Sequence, residues 1–164
     1  MNLLNRRNNL LINFAYAVWF LVSGAFHAPP IDLSQKQMNC LYANVYKEAR
    51  GEIFRGKLAV AKVTLNRVRS DRFGETICQV VKQPNQFSWY KNSKSMEIKF
   101  RNEIDKQAYS QVQLASNIAI ILDKLGLDFM SKADHYHTVK VSPSWNKDME
   151  EIGVIGQHRF FKGE

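Results

Sequence analysis

Two glutamates, Glu48 and Glu52, stand four residues apart in the stretch NVYKEARGE, residues 44–52. On a helix that spacing puts both carboxylates on one face, with Cβ atoms about 5–6 Å apart. Gly51 offers a place for the helix to stop, so a carboxylate beside it could face a cleft rather than bulk water. The plain alternative is a solvated turn of mixed charge. Glycosidases ordinarily set two carboxyl groups across the scissile bond, about 5 Å or 6.5–9.5 Å apart. Two acids on one helix face sit on the same side of a sugar and straddle it poorly. One acid suffices if the substrate carries its own nucleophile: it protonates the leaving oxygen, then accepts a proton from a substrate hydroxyl. Such an acid needs a raised pKa, which burial against apolar or aromatic walls provides. The aromatic run Gln86, Phe87, Ser88, Trp89 and Tyr90, together with Tyr136, offers walls and a stacking surface for sugar rings. The same run could equally plug the core.

Other chemistries find less support. His135 and His137 are two apart, on one face of a strand, and His158 stands in a second strand-like segment. Three histidines on a sheet could hold zinc with an open position for water, as in an amidase or peptidase. No acid has obvious ligand spacing beside them. There is no Gly-x-Ser-x-Gly elbow, and Ser88 lacks a nearby His–Asp pattern. Glycine loops that cradle phosphate are absent. A non-catalytic envelope-binding module, using the aromatic run and a basic surface, is a third class.

The elements that position these residues follow from periodicity. Cys40 to Ala49 reads as a helix with Leu41, Val45 and Ala49 as its apolar stripe. Leu58, Ala61, Leu65 and Val68 mark a second helix over 57–69 with one buried face. Residues 76–81 form a short apolar element, helix or strand, and 91–99 a mobile insertion. Ile104, Ala108, Gln111, Ala115, Ile118 and Leu122 mark the core stripe of the longest helix, with Gly126 as its C-cap. Period-two patterns at 133–141 and 154–161 predict two antiparallel strands joined through Pro143 and Trp145.

The 164 residues suit one domain, 45% of them hydrophobic, enough to bury a core. Arg6 and Arg7 precede an uncharged apolar run at 10–26, followed by Pro29 and Pro30. That is the form of an export signal or a marginal membrane anchor, so 1–28 is set apart and 29–38 is read as a linker to a body at 39–164. The body is then translocated, periplasmic or within the cell envelope, with any tether in the inner membrane. Cys40 and Cys78 agree with an oxidising compartment, where they would pair; closing that loop stabilises by roughly 3–4 kcal/mol. A net charge of +8 suits a polyanionic partner. Export argues against that partner being nucleic acid.

Five blocks also resemble, in order, the SleB/CwlJ-type cell wall hydrolases. They are NVYKEARGE at 44–52, GKLAVAKVTLNRV at 56–68, CQVVKQPNQFSW at 78–89, SPSW at 142–145 and IGQHRFF at 155–161. The resemblance implies an α+β fold, mainly helical with a small antiparallel sheet, related to lysozymes and lytic transglycosylases. It implies cleavage of the bond between muramic acid and glucosamine in peptidoglycan, by transglycosylation or as a muramidase, without a metal or other cofactor. Glu48 matches the family's catalytic acid. Glu52 and Arg50 are supporting neighbours, with Glu52 tuning Glu48 or fixing the turn. Gln86, Phe87, Ser88, Trp89, Tyr136 and His137 would line the substrate groove. The expected partner is the glycan strand, met by a monomer. A marginal N-terminal span on a compact basic domain suggests a phage endolysin or an envelope-remodelling enzyme.

Overall fold

The structure, a computed structural model, describes residues 30–70, 72–93 and 95–163. The expected signal or anchor at 1–28 lies outside the described residues. Among them, five helices precede a small sheet: α1 (Gln35–Ala49), α2 (Phe54–Arg69), α3 (Ile77–Lys82), α4 (Ser88–Ser93) and α5 (Glu103–Lys124). Strands β1 (His135–Thr138), β2 (Glu150–Ile155) and β3 (His158–Lys162) follow, with a 3-10 turn at Ser144–Asp148 between β1 and β2. This is the mainly helical α+β architecture expected from the sequence. No helix among the described residues is long and apolar enough to cross a membrane.

Helix α1 starts earlier than its apolar stripe suggests. The linker expected at 29–38 already belongs to it from Gln35, because Gln37 is buried and its Oε1 accepts the Cys78 N–H at 2.8 Å. Cys40 and Cys78 are disulfide-bonded, which pins α1 to α3. Residues 76–81 resolve as helical through a capping box. The Thr76 side chain accepts the Gln79 N–H while the Gln79 side chain accepts the Thr76 N–H.

Helix α2 is the centre of the body. The pattern predicts one buried face, but α2 packs against α1, α3, α5 and β2, and Gly56, Lys57 and every residue from Ala59 to Arg67 are buried. Its enclosed cations are answered individually, as burial requires. Lys57 Nζ donates to the Glu52 carbonyl, Lys62 pairs with Asp123 at 2.8 Å, and Arg67 Nε donates to the Asp134 carbonyl at 2.6 Å.

On α5 the buried residues are Asp105, Val112, Ala115, Ser116, Ala119 and Ile120; of the predicted stripe Ala115 is buried and Ala108 packs on the core, but Ile104 is 72% exposed and Gln111 lies in solvent. Small residues at 115, 116 and 119 suit close packing against α2, which outweighs the larger side chains of the predicted stripe. Gly126, at φ +69°, ends α5 as expected, with Leu127 N–H returning to the Leu122 carbonyl at 2.8 Å. The expected insertion at 91–99 is not detached: Met96 and Ile98 pack against the core.

The sheet order is β1-β3-β2, antiparallel throughout. The pairing of 133–141 with the C-terminal segment holds, but 154–161 is not one strand. It is the end of β2, a two-residue turn at Gly156 and Gln157, and the start of β3. Gly156 takes φ +61°, a left-handed conformation that tight hairpins need and side chains disfavour. Register then sets the faces. Tyr136 opposite Phe160 and Thr138 opposite His158 share one face; His135 opposite Phe161 and His137 opposite Arg159 share the other.

Candidate active site

The last turn of α1, the end of α2, the turn before α4 and strand β1 meet around a cleft of about 340 Å³. Glu48, Arg67, Asn85, Gln86, Ser88, Lys91 and Tyr136 line it. Among the described residues Glu48 is therefore the one carboxylate in its walls. A larger, more open hollow of about 750 Å³ lies beside the disulfide between Lys36, Phe73 and Lys82. Its single lining carboxylate, Glu75, is exposed, so it does not suit acid catalysis.

Burial raises the pKa of the Glu48 carboxyl, against the lowering effects of a hydrogen bond from Tyr136 and the charge of Arg67. Tyr136 Oη donates to Glu48 Oε2 at 3.1 Å. Burial, then the charge of Glu48, pushes the Tyr136 hydroxyl well above its ordinary pKa, so it remains a donor at any physiological pH. Arg67 completes the group. Its guanidinium lies 5.2 Å from the ring centroids of both Phe73 and Phe87, Nε is spent on the Asp134 carbonyl, and Nη1 is buried without a partner. Arg67 was not singled out from the sequence. The available signal was a cation in the helical stretch 58–68, which also holds Lys62, Thr64 and Asn66 among its apolar residues.

Glu52 is not on the face of α1. The helix ends at Ala49, and Glu52 turns away from Glu48 toward the β2–β3 hairpin, where its Oε2 accepts the Gln157 N–H at 3.0 Å. Burial, rather than a like-charged neighbour, raises Glu48. Arg50 does not bind Glu52 either; it is exposed, with its guanidinium carbon 5.4 Å from the Tyr46 ring centroid.

The aromatic run divides between the two roles foreseen for it. Gln86 and Ser88 line the cleft. Phe87 is 3% exposed and stacks under Arg67, so it supports the site instead of meeting a sugar. Trp89 Nε1 donates to Asn44 Oδ1 at 3.2 Å, and Asn44 Nδ2 donates to Thr64 Oγ1 at 3.1 Å. That chain ties α4 to α1 and α2. Tyr136 reaches the cleft, whereas His137 lies on the opposite sheet face, 5.1 Å from Phe161 and 5.5 Å from Trp145 between ring centroids. The same parity separates His158 from His135 and His137. Nδ1 of His135 bonds Asp134 Oδ1 at 2.7 Å, while His158 packs on Tyr136. The three histidines do not converge, and among the described residues no cluster of His, Cys, Asp or Glu could hold a metal ion.

A profile of the cell wall hydrolase family matches residues 51–161, beginning just after Glu48. The chain belongs to the cell wall hydrolase family. It is 41% identical over 134 residues to a spore cortex-lytic enzyme of Oceanobacillus iheyensis, covering 81% of this chain and 44% of that protein. With a spore cortex-lytic enzyme of Bacillus subtilis it shares 29% over 132 residues, covering 80% and 39%. The chain thus spans less than half the length of these curated relatives. Among solved structures it resembles the catalytic domain of Bacillus cereus SleB, with TM-score 0.66, 29% identity, and coverage of 85% of this chain and 99% of that one. The catalytic domain of the germination-specific lytic transglycosylase SleB from Bacillus anthracis gives TM-score 0.64 at 30% identity, covering 81% and 99%. In this cell wall hydrolase the lysozyme-like, lytic-transglycosylase-related fold is carried by the described body.

Proposed function

We propose that this cell wall hydrolase is a lytic transglycosylase that cleaves the bond between muramic acid and glucosamine in peptidoglycan glycan strands. The observation that carries the reading is the half-buried Glu48 carboxylate, the one acid that the described residues place in the cleft, with Glu52 engaged elsewhere. Among the described residues the cleft offers no second acid to activate water or attack the sugar, as a two-carboxylate glycosidase would need. Glu48, whose protonated form burial favours, donates its proton to the glycosidic oxygen as the bond to C1 breaks. The glucosamine leaves with that proton. The muramic 6-hydroxyl then bonds C1 and returns its proton to Glu48, leaving a 1,6-anhydro end and consuming no water. An attacking hydroxyl already attached to the sugar gains the large effective concentration of an intramolecular group. Tyr136 holds one Glu48 oxygen so that the other faces substrate, and the charge of Arg67 steadies the carboxylate between the two proton transfers. Gln86 and Ser88 are placed to hydrogen-bond sugar hydroxyls.

The lytic transglycosylase named among the similar solved structures supports this reading; the activity would be exerted outside the cytoplasm, by a monomer without a cofactor. The apolar run at 10–26 would deliver the body there as an export signal or an inner-membrane tether, in a phage endolysin or an envelope-remodelling enzyme. Fractionation of full-length protein separates signal from tether. For the chemistry itself, Glu48→Gln keeps the shape and removes the transferable proton. Abolished release of muropeptides with an unchanged fold is expected; retained lysis overturns the assignment.

A further inference from the structure

Glu52 is nearly as enclosed as a core residue, yet no step above uses it. Its side chain is 9% exposed and that of His158 is 6%, with His158 Nδ1 3.5 Å from Glu52 Oε1. Nδ1 has no hydrogen-bond partner in this arrangement. The other carboxylate oxygen takes the Gln157 N–H at 3.0 Å. Two glycines are shaped around the same side chain. A Cβ on Gly156 would fall 2.0 Å from Glu52 Oε2, and one on Gly56 would fall 2.9 Å from Glu52 Cβ. Lys57 Nζ holds the Glu52 carbonyl from the first turn of α2. From the hairpin the contacts run back to the cleft. The His158 ring meets Tyr136 edge-on at 5.2 Å and 88°, and Tyr136 reaches Glu48.

We propose that Glu52 and His158 form a positioning pair that seats the β2–β3 hairpin, and through it Tyr136, against Glu48. The inference rests on the reading of Glu48 as the acid, and it gives the second glutamate of the stretch a separate task. A hairpin clamp needs only an acceptor for the Gln157 N–H. The carboxylate also packs within 3.5 Å of His158 Nδ1 and so bounds the ring on which Tyr136 leans, and a displacement of about 1 Å at a reacting group can cost on the order of a hundredfold in rate.

The test uses soluble glycan strands and follows kcat and KM across pH, with thermal unfolding in parallel. Glu52→Ala is expected to lower kcat by about ten- to a hundredfold with KM little changed. It is also expected to move the alkaline limb of kcat upward, since the Tyr136 hydrogen bond lowers the Glu48 pKa. Tyr136→Phe should move that limb the same way, and the double variant should lose little beyond the worse single one. Glu52→Gln, which keeps an acceptor, should recover most of kcat. Should Glu52→Ala fail to fold, Glu52→Asp withdraws the carboxylate by one methylene and should show a smaller shift in the same direction. An unmoved alkaline limb, or additive losses with Tyr136→Phe, would overturn the pair and leave Glu52 a stabilising clamp. Full activity of Glu48→Gln would instead overturn the acid assignment, whatever the coupling between Glu52 and Tyr136.

Discussion

Tyr136 Oη and Glu48 Oε2 stand 3.1 Å apart although 88 residues separate them in sequence. That contact joins the last turn of α1 to the first strand and fixes the orientation of the proposed acid. Tyr136→Phe removes a donor that favours the ionised carboxylate. We expect kcat to fall about tenfold or more. The pH profile will show why: the Glu48 pKa rises further, so activity of the protonated acid persists to higher pH than in the wild type. A profile that scales down without moving would mean that the hydroxyl does not act on Glu48.

Glu48 also links stability to pH. Its pKa is raised in the folded state, so the fold favours the protonated form. Stability from this group is fully present below the unfolded value of about 4.5 and declines as pH rises through the raised folded value. Glu48→Gln removes the cost of a buried charge. The variant should therefore unfold at a higher temperature than wild type at neutral pH, with the difference closing in acid. Calorimetry at two pH values reads both signs.

Arg67 is held between Phe73 and Phe87 and bonded to the Asp134 carbonyl. Arg67→Gln leaves that carbonyl short of its donor and strips a positive charge from beside Glu48. Stability should fall by about 1–3 kcal/mol in denaturant unfolding. The alkaline limb of kcat should move upward, as for Tyr136→Phe. Stability loss alone would confine Arg67 to packing.

The Cys40–Cys78 bridge ties the helix that bears Glu48 to the helix that leads into the 83–86 turn. Replacing both cysteines by alanine should cost roughly 3–4 kcal/mol on the loop-entropy estimate. That corresponds to a fall in Tm on the order of 10 °C. Activity measured well below the new Tm should survive, because the disulfide touches no cleft residue.

The sequence made the helix of Glu48, the disulfide and the mainly helical class readable, because each rests on local periodicity, cysteine usage or an ordered set of motifs. What it hid depends on contacts between distant segments. Glu52 looked like the partner of Glu48 only while the helix was assumed to continue beyond Ala49. Val154 to Phe161 alternates like one strand, yet Gly156, at φ +61° and with no room for a side chain beside Glu52, turns the chain there. On α5 the apolar stripe read from spacing shares only Ala115 with the buried one, which runs through Val112, Ser116, Ala119 and Ile120. Phe87 is as aromatic as any sugar platform, but it is buried against Arg67, while the half-buried Trp89 is anchored to Asn44 through its ring nitrogen. Strand parity turns Tyr136 toward the cleft and His137 to the opposite sheet face.

Mass spectrometry of purified peptidoglycan digested by the wild-type protein and by Glu48→Gln tests the central claim most directly. Our account predicts muropeptides ending in 1,6-anhydromuramic acid from the wild type and none from the variant. Reducing muramic ends without anhydro products would contradict it, because water and not the 6-hydroxyl would then have been the nucleophile.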